Sequence, residues 1–419
     1  MKIVADAIIS LNKGTLSQLV ERFTAAGCHI KKIDAFKMEK NKEAYRFELI
    51  YEEQESFNTC VENLKAYTEA FTLLELNNVL EDSLRGGLLD INCKLPFNSK
   101  DDYDVNILGG AALIVGKIQE GKANEFSGIS NLVANVCAIK GKGQDKLHVF
   151  HTEAERDSIV MKKFFGINCV PLSFRYEQPE TCLKHLENSS VGYCAMRIVQ
   201  IEGGTLSLFS QLADGFPIPV LIRELDELPL YVLSLLAKCS ARHRVSTGDT
   251  NIGIIGIDNT GVRLTELLLK LGFKRVLGYN GETDILMQFE KQGGLATVKE
   301  NILGNVDILI LMKSVLEEND FESLRPGQYV VSPEQLPAED MKRFKENGVR
   351  DVIDGRQRDL SMFAPGLMRG MIQSGCKTIS DDLLIKLSKR GAKLFSDTYR
   401  IGVEPESFVE AIAEEFTGE

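Results

Sequence analysis

The chain has 419 residues, 44% of them hydrophobic and 26% charged. That length and composition suit about two or three ordinary globular domains and exclude a disordered polymer. A net charge of −11 and the absence of tryptophan exclude general nucleic-acid binding, because polyanion affinity rests on basic residues and base-stacking platforms on aromatic ones. No run approaches the roughly 18 apolar residues of a membrane span. The start, MKIVADAIISLNKG, lacks the apolar segment and cleavage site of a signal peptide. Nine scattered cysteines without a CxxC pair read as reduced thiols. A cytoplasmic protein without nucleic-acid or membrane partners is expected.

Residues 1–78 form a self-contained pattern. MKIVADAIISL alternates as a strand, and TLSQLVERFTAAG places apolar residues at 16, 19, 20 and 23, which is helical spacing. HIKKIDAFKM and AYRFELIYE read as strands, SFNTCVENLKAYTEA as a helix and FTLLELNNV as a closing strand. The order βαββαβ is ferredoxin-like. This segment resembles an ACT domain, a small-molecule-sensing module. The resemblance implies an effector, such as an amino acid, bound at the strand-to-helix turn Asn12-Lys13-Gly14-Thr15-Leu16, although the acidic residue often found before that glycine is absent. A ferredoxin-like domain serving only dimerisation is the competing reading.

The composition shifts around EDSLRGGLLD (81–90), where Gly86-Gly87 marks a boundary. Residues 79–245 read as a mixed α/β domain with short apolar runs (NCVPLSF, GYCAMRIVQI, IPVLI), closed by the helix PLYVLSLLAKCSARHR. Residues 246–419 carry the clearest pattern. TNIGIIGIDNTGVRLTELLLKLGFKRVLGYN is strand, glycine turn, helix, strand, followed by NVDILILMK and QYVVSPE between helical segments and by C-terminal helices. Alternating β and α elements imply a doubly wound parallel sheet of Rossmann type.

A dinucleotide turn requires GxGxxG. Here Gly256-Ile257-Asp258-Asn259-Thr260-Gly261 keeps the first and third glycines and replaces the second by Asp258. Asn280 stands where an acidic residue would meet the ribose hydroxyls. Either the turn still takes NAD or NADP, or its pocket has closed or changed ligand.

Pro365-Gly366-Leu367-Met368-Arg369-Gly370 and Lys377-Thr378-Ile379-Ser380 resemble the C-terminal P-G turn and helix start of bacterial malic enzymes. FPIPVLIRELDELPLYVLSLLAK sits where that family has P-V-x-H-D-D-Q-H-G-T-A, and the similarity spans about 80–395. The family implies a tyrosine acid, a lysine base and a divalent metal on three carboxylates. In this chain the tyrosine position falls on Ile107, the first carboxylate pair on Met196 and Arg197, and the aspartate pair near Arg223 and Glu224. The malate-binding asparagines fall on Asp359 and Leu360, and the lysine has a stand-in at Lys162 or Lys163. Loss of the acid and most of the metal cage argues against a bound divalent metal and against malate decarboxylation.

Arg356, Arg358 and Arg369 flank the P-G turn and read either as an organic-acid or phosphate site or as salt-bridge residues. His148, His151 and Cys137 read as metal ligands only if strand-like spacing is overcome. Cys182 and His185 read as packed thiol and surface histidine rather than a catalytic pair, and Arg242-His243-Arg244 as a solvated helix end.

Three readings follow. The first is a malic-enzyme-like regulatory protein that binds a metabolite or nucleotide without malate turnover. The second is an NAD(P)-dependent oxidoreductase acting on malate or another 2-hydroxy acid under ACT control. The third is an assembly subunit for a true enzyme. A homo-oligomer is expected in all three.

Overall fold

In the computed structural model, described over residues 2–10, 16–25, 27–37, 42–50, 58–59, 62, 68–74, 103–312, 316–355, 357–398 and 405–416, the chain divides into two units, Met1–Leu88 and Leu89–Glu419. In the first, strands β1 (Lys2–Ser10), β2 (His29–Lys37), β3 (Lys42–Ile50) and β4 (Thr68–Leu74) form one sheet in the order β2-β3-β1-β4. Every neighbouring pair is antiparallel. Helix α1 (Leu16–Ala25) covers it through Phe23, whose ring meets that of Phe47 edge-on at 5.4 Å. Strand β4 begins at Thr68, three residues before the expected strand. Of the second expected helix, 56–70, only Asn58, Thr59 and Glu62 are described before Thr68, and its last three residues belong to β4. The turn Asn12-Lys13-Gly14-Thr15 lies outside the described residues, and Leu16 opens α1.

The second unit holds two parallel sheets. Helix α2 (Gly109–Gln119) precedes β5 (Val133–Lys140), α3 (Gln144–Phe165), β6 (Cys169–Tyr176), α4 (Pro179–Ser190), β7 (Ala195–Ile201), α5 (Leu206–Gly215) and β8 (Val220–Ile222). These strands run parallel in the order β6-β5-β7-β8. A wide π-helical turn, Arg223–Glu227, leads from β8 into α6 (Leu228–His243), whose first turn holds Pro229, a position where the missing N–H costs nothing.

The second sheet contains β9 (Asn251–Ile255), β10 (Arg275–Tyr279), β11 (Leu295–Ala296), β12 (Ile308–Leu311), β13 (Tyr329–Ser332) and β14 (Asp351–Asp354). Their order, β11-β10-β9-β12-β13-β14 and parallel throughout, is the Rossmann order 3-2-1-4-5-6. Helices α7 (Asn259–Lys270), α8 (Thr283–Lys291), α9 (Lys299–Asn305), α10 (Glu318–Glu322) and α11 (Ala338–Glu346) fill the crossovers. Helices α12 (Gln357–Ser374), α13 (Asp381–Thr398) and α14 (Pro405–Ala413) close the chain. One apolar core runs from Val133 and Ala195 of the first sheet through Tyr231 and Leu235 of α6 to Ile254 and Ile310 of the second.

Two expectations are corrected. The run His148-Val149-Phe150-His151 belongs to α3, not to a strand. Two apolar residues mimic a strand locally, but the whole segment 144–165 is one helix, ended by Gly166 with φ +68 and a backbone bond from Ile167 N–H to Met161 O. The expected P-G turn is also helical, with Pro365 inside α12. The glycines there serve packing: a Cβ on Gly366 would sit 2.8 Å from Ile412, and one on Gly370 would sit 2.3 Å from Phe416.

Candidate functional site

In parallel sheets ligands bind beyond the carboxyl ends of the strands. Three such ends converge here. Strand β9 runs into Gly256, whose φ of +78 suits the tight turn of the Rossmann loop. Strand β7 runs into Glu202-Gly203-Gly204, and β8 into the turn 223–227. Asn259 joins all three: its side-chain amide donates to Gly204 O at 2.9 Å and to Glu224 Oε2 at 2.8 Å.

Within the Rossmann turn, Asp258 has extended backbone and caps α7, its Oδ1 accepting the Gly261 N–H at 3.1 Å. That amide belongs to the helix N-terminus where a pyrophosphate would bind. The chain's own carboxylate therefore takes an amide of the phosphate site, and its negative charge would oppose a phosphate. These residues do not fit a dinucleotide while Asp258 keeps this position. Asn280 does not face outward either; its amide donates to Ile257 O, and its Oδ1 accepts from Glu282 N–H at 2.7 Å. It ties the two strand ends together. Thr260 is fully buried, and its hydroxyl has no hydrogen-bond partner among the described residues.

The second cluster lies on the α3 face of the first sheet. Arg197 of β7 donates from Nε and Nη2 to the two oxygens of Glu227 at 2.6 and 2.8 Å, and from Nη1 to Asp157 Oδ2 at 2.7 Å. Arg156 donates to the other Asp157 oxygen at 2.9 and 3.1 Å. Arg197 and Glu227 are buried, and Asp157 sits on the border of burial. Burial alone would raise the Asp157 pKa, but the Arg197 guanidinium, by charge and hydrogen bond, outweighs it and holds the carboxyl below its usual range. Burial disfavours the charge on Arg197, yet Glu227 and Asp157 overcome it and raise that pKa. Beside it, burial pushes the Cys137 thiol up to about 12 despite the Arg197 charge, so it is no thiolate.

The two segments that the malic-enzyme resemblance marks as metal-bearing do meet, through Arg197 on β7 and Glu227 in the turn that Arg223 opens. The guanidinium of Arg197 lies between Glu227 of that turn and Asp157 of α3. Met196 points into the apolar core on the opposite sheet face, packed with Ile198 and Val220. Among the described residues no group of three or more His, Cys, Asp or Glu is placed to hold a metal ion. The donor set does not fit a divalent cation.

A cleft of about 310 Å³ opens beside the turn, lined by Asp226, Arg263, Ser210 and Thr378 among others. Asp226 is buried and accepts the Ile222 N–H at 2.7 Å. Burial pushes its pKa up to about 7, against the Ile222 N–H and the Arg263 charge, which lower it. Arg263 in turn bonds to Glu266 and Asp381.

The remaining expected residues are scattered. Lys162 and Lys163 are exposed at the end of α3, and Lys162 donates to the Asn168 side chain. Arg369 donates to Phe165 O at 2.6 Å, closing the same helix end. Arg356 and the side chains of Arg358, Asp359 and Leu360 lie outside the described residues. Ile107 is half-buried on a π-helical stretch, Tyr103–Leu108. Cys182 is buried while His185 is exposed, so they do not pair. Arg242 and His243 both hold Asp351 at 2.8 Å, which anchors α6 to β14 instead of leaving a solvated end. Asp157, Asp226 and Glu227 were not singled out from the sequence. Their one signal is charge on helices that also carry core residues.

No protein-family model and no curated protein sequence matches this chain. Solved structures do match in fold. The malic enzyme from Pyrococcus horikoshii aligns over 81% of this chain and 91% of its own, at 19% identity and TM-score 0.64. The malic enzyme of Entamoeba histolytica aligns over 82% and 81%, at 16% identity and TM-score 0.66. An NAD-dependent malic enzyme from Thermotoga maritima aligns over 82% and 99%, at 16% identity and TM-score 0.64. The chain has a malic-enzyme-like fold.

Proposed function

We propose that this protein is a regulatory, metabolite- or nucleotide-binding relative of malic enzymes that does not decarboxylate malate. The observation that carries the reading is the guanidinium of Arg197 held between Asp157 and Glu227. A metal that polarises the 2-hydroxyl needs carboxylates free to ligate it. Here both are bonded to a permanent cation within the same chain. Glu202, which leaves the carboxyl end of β7, is likewise answered by Lys146 at 2.6 Å.

The first unit acts as an ACT-like sensor of a small effector, such as an amino acid. Its strand order β2-β3-β1-β4 is the one a ferredoxin-like βαββαβ domain takes, which supports that role. In the second unit the cleft between Asp226 and Arg263 is the better ligand pocket, because the Rossmann turn is capped from within.

The alternative is an NAD(P)-dependent malate or 2-hydroxy-acid oxidoreductase under allosteric control. It draws on the strand order and on the Gly256 turn, and it requires Asp258 to be displaced.

Thermal-shift titration of the full chain with NAD, NADP, malate plus manganese, and the common amino acids separates the two. A ligand selective for the native state stabilises it by about 2.7 kcal/mol at a hundredfold excess over Kd. A shift with an amino acid or organic acid alone is expected. A shift with a dinucleotide, together with one for malate plus manganese, would favour the oxidoreductase.

A further inference from the structure

We infer that the cleft between Asp226 and Arg263 holds an α-amino acid with an apolar side chain, its ammonium on Asp226 and its carboxylate on Arg263. The inference rests on the reading of this cleft as the ligand pocket and supplies the ligand's class. At about 310 Å³ the cleft lies near the lower end of the roughly 300–1,000 Å³ of small-molecule sites, so its ligand is small. The floor is apolar. Val220 of β8, Val262 of α7 and Ile379 are buried there, flanked by half-buried Leu206 and Leu225. The rim is polar, with Ser210, Gln292 and Thr378 exposed.

Two charges of opposite sign line this cleft without being joined. Asp226 is buried and uses Oδ2 to accept the Ile222 N–H. Among the described residues its other oxygen accepts no hydrogen bond, and no cation is bonded to it. Arg263 is near enough for its charge to act on Asp226, yet among the described residues its ion pairs go to Glu266 and Asp381 instead. A guanidinium has five N–H donors. Those two bonds leave others for a carboxylate.

The ligand's chemistry follows from what each charge lacks. A buried carboxyl is satisfied by a cation or by hydrogen-bond donors, and an ammonium offers three donors with a charge. The arginine fork matches a carboxylate. An α-amino acid carries both complements on one carbon and leaves its side chain for the apolar floor. A dicarboxylic acid would bring a second negative charge to Asp226, and a simple amine would leave Arg263 unused. A divalent cation would find one carboxyl without a cation, because Glu266 is already held by Arg263 and Lys270.

Calorimetric titration of the full chain with L-valine, L-isoleucine and L-methionine tests this. The controls are 2-hydroxyisovalerate and isobutylamine, the counterparts of valine that lack the ammonium and the carboxylate. At least one amino acid is expected to bind, with neither control binding comparably. Asp226→Asn, which keeps an acceptor for the Ile222 N–H, is expected to weaken that binding by roughly tenfold or more. If this variant misfolds, Ser210→Phe decides: it fills the exposed rim, leaves both charges in place and is expected to abolish binding. Absence of binding by all three amino acids overturns the proposal. So does binding that neither variant changes, which would place the amino acid elsewhere in the chain. Equal binding of 2-hydroxyisovalerate, lost in Ser210→Phe, also overturns it but keeps the cleft as a ligand pocket. If no titrant responds to Ser210→Phe, the reading of the cleft as a ligand pocket falls as well.

Discussion

The two parallel sheets of the second unit treat charge in opposite ways. The six-stranded sheet is apolar on both faces, with Ile252, Ile254, Ile308 and Ile310 on one side and Ile255, Leu309, Leu311 and Val330 on the other. Its acidic rim residues, such as Asp307 and Asp351, are bonded to arginines near the surface. The four-stranded sheet is uniformly apolar on the α4 and α5 face, whereas on the other face charged and amide side chains stand among apolar ones such as Val133, Ala195 and Leu221. On its α3 face Asn135 and Arg197 stand side by side in register, with Asp157 and Glu227 above them. A parallel sheet packs well without such a row, as its neighbour shows. Buried charge costs desolvation unless it is paired, so the row marks the place where the fold offers a polar site, and the pairing within it neutralises that site.

Breaking the row should have the largest effect. Arg197→Met removes the cation bonded to buried Glu227 and leaves Asp157 with Arg156 at its other oxygen, a burial of charge that costs about 3–5 kcal/mol. Urea denaturation should show it, and adding Asp157→Leu and Glu227→Met should recover most of the loss. A single variant as stable as wild type would remove the triad from the account.

Asp226 sharpens the contrast, because it is a buried acid with no cation bonded to it among the described residues. Its folded pKa is raised to about 7, above an ordinary value near 3.9. The folded state therefore holds its proton longer than the unfolded state. Stability is full below pH ~4, falls as pH rises through this window, and levels off above about 7. Asp226→Asn, which can still accept the Ile222 N–H, should gain about 2–4 kcal/mol over wild type at pH 8 and little at pH 4. Asp157 has the opposite sign: its lowered pKa contributes stability above pH ~4 that disappears as pH falls further. Thermal melts at both pH values, with each acid replaced in turn, separate the two.

In the apolar sheet the sensitive positions are steric. A Cβ on Gly253 would lie 2.3 Å from Ile302 Cγ2 and 3.0 Å from Val306 Cγ1, so Gly253→Ala should cost about 1–3 kcal/mol by overpacking. The midpoint of urea unfolding measures this, and the cost should not depend on pH.

The smallest expected effect on stability comes from Asp258→Gly, a few tenths of a kcal/mol for the lost cap. Its effect on binding should be the larger one. With the carboxylate removed from the Gly261 amide, NAD or NADP should bind more tightly than to wild type in calorimetric titration. Equal affinity in the two proteins would show that Asp258 does not guard the turn.

The element pattern of the Rossmann half was legible in the sequence, because Gly256, Gly261 and the runs NIGII and DILIL combine turn chemistry with the short continuous apolar runs of strands buried on both faces. The strand positions of the four-stranded sheet were legible from CVPLSF, CAMRIVQI and IPVLI for the same reason. Its charged row was not. Asp157 lies in EAERDSIV, which reads as the solvated face of an amphipathic helix, and only the packing of α3 on the four-stranded sheet buries it. Glu227 lies in RELDEL, an acidic run whose π-helical winding no local pattern announces. Arg197 was noted as a replaced ligand, but its two partners come from 40 and 30 residues away.

In the proposed reading, the chain's own side chains fill and neutralise the place where malate chemistry would need free carboxylates. Its most direct test is pyruvate formation from malate by the purified full chain, with manganese and either NAD or NADP. None above the rate without protein is expected. Turnover that is metal-dependent and abolished by Asp157→Asn or Glu227→Gln would contradict it.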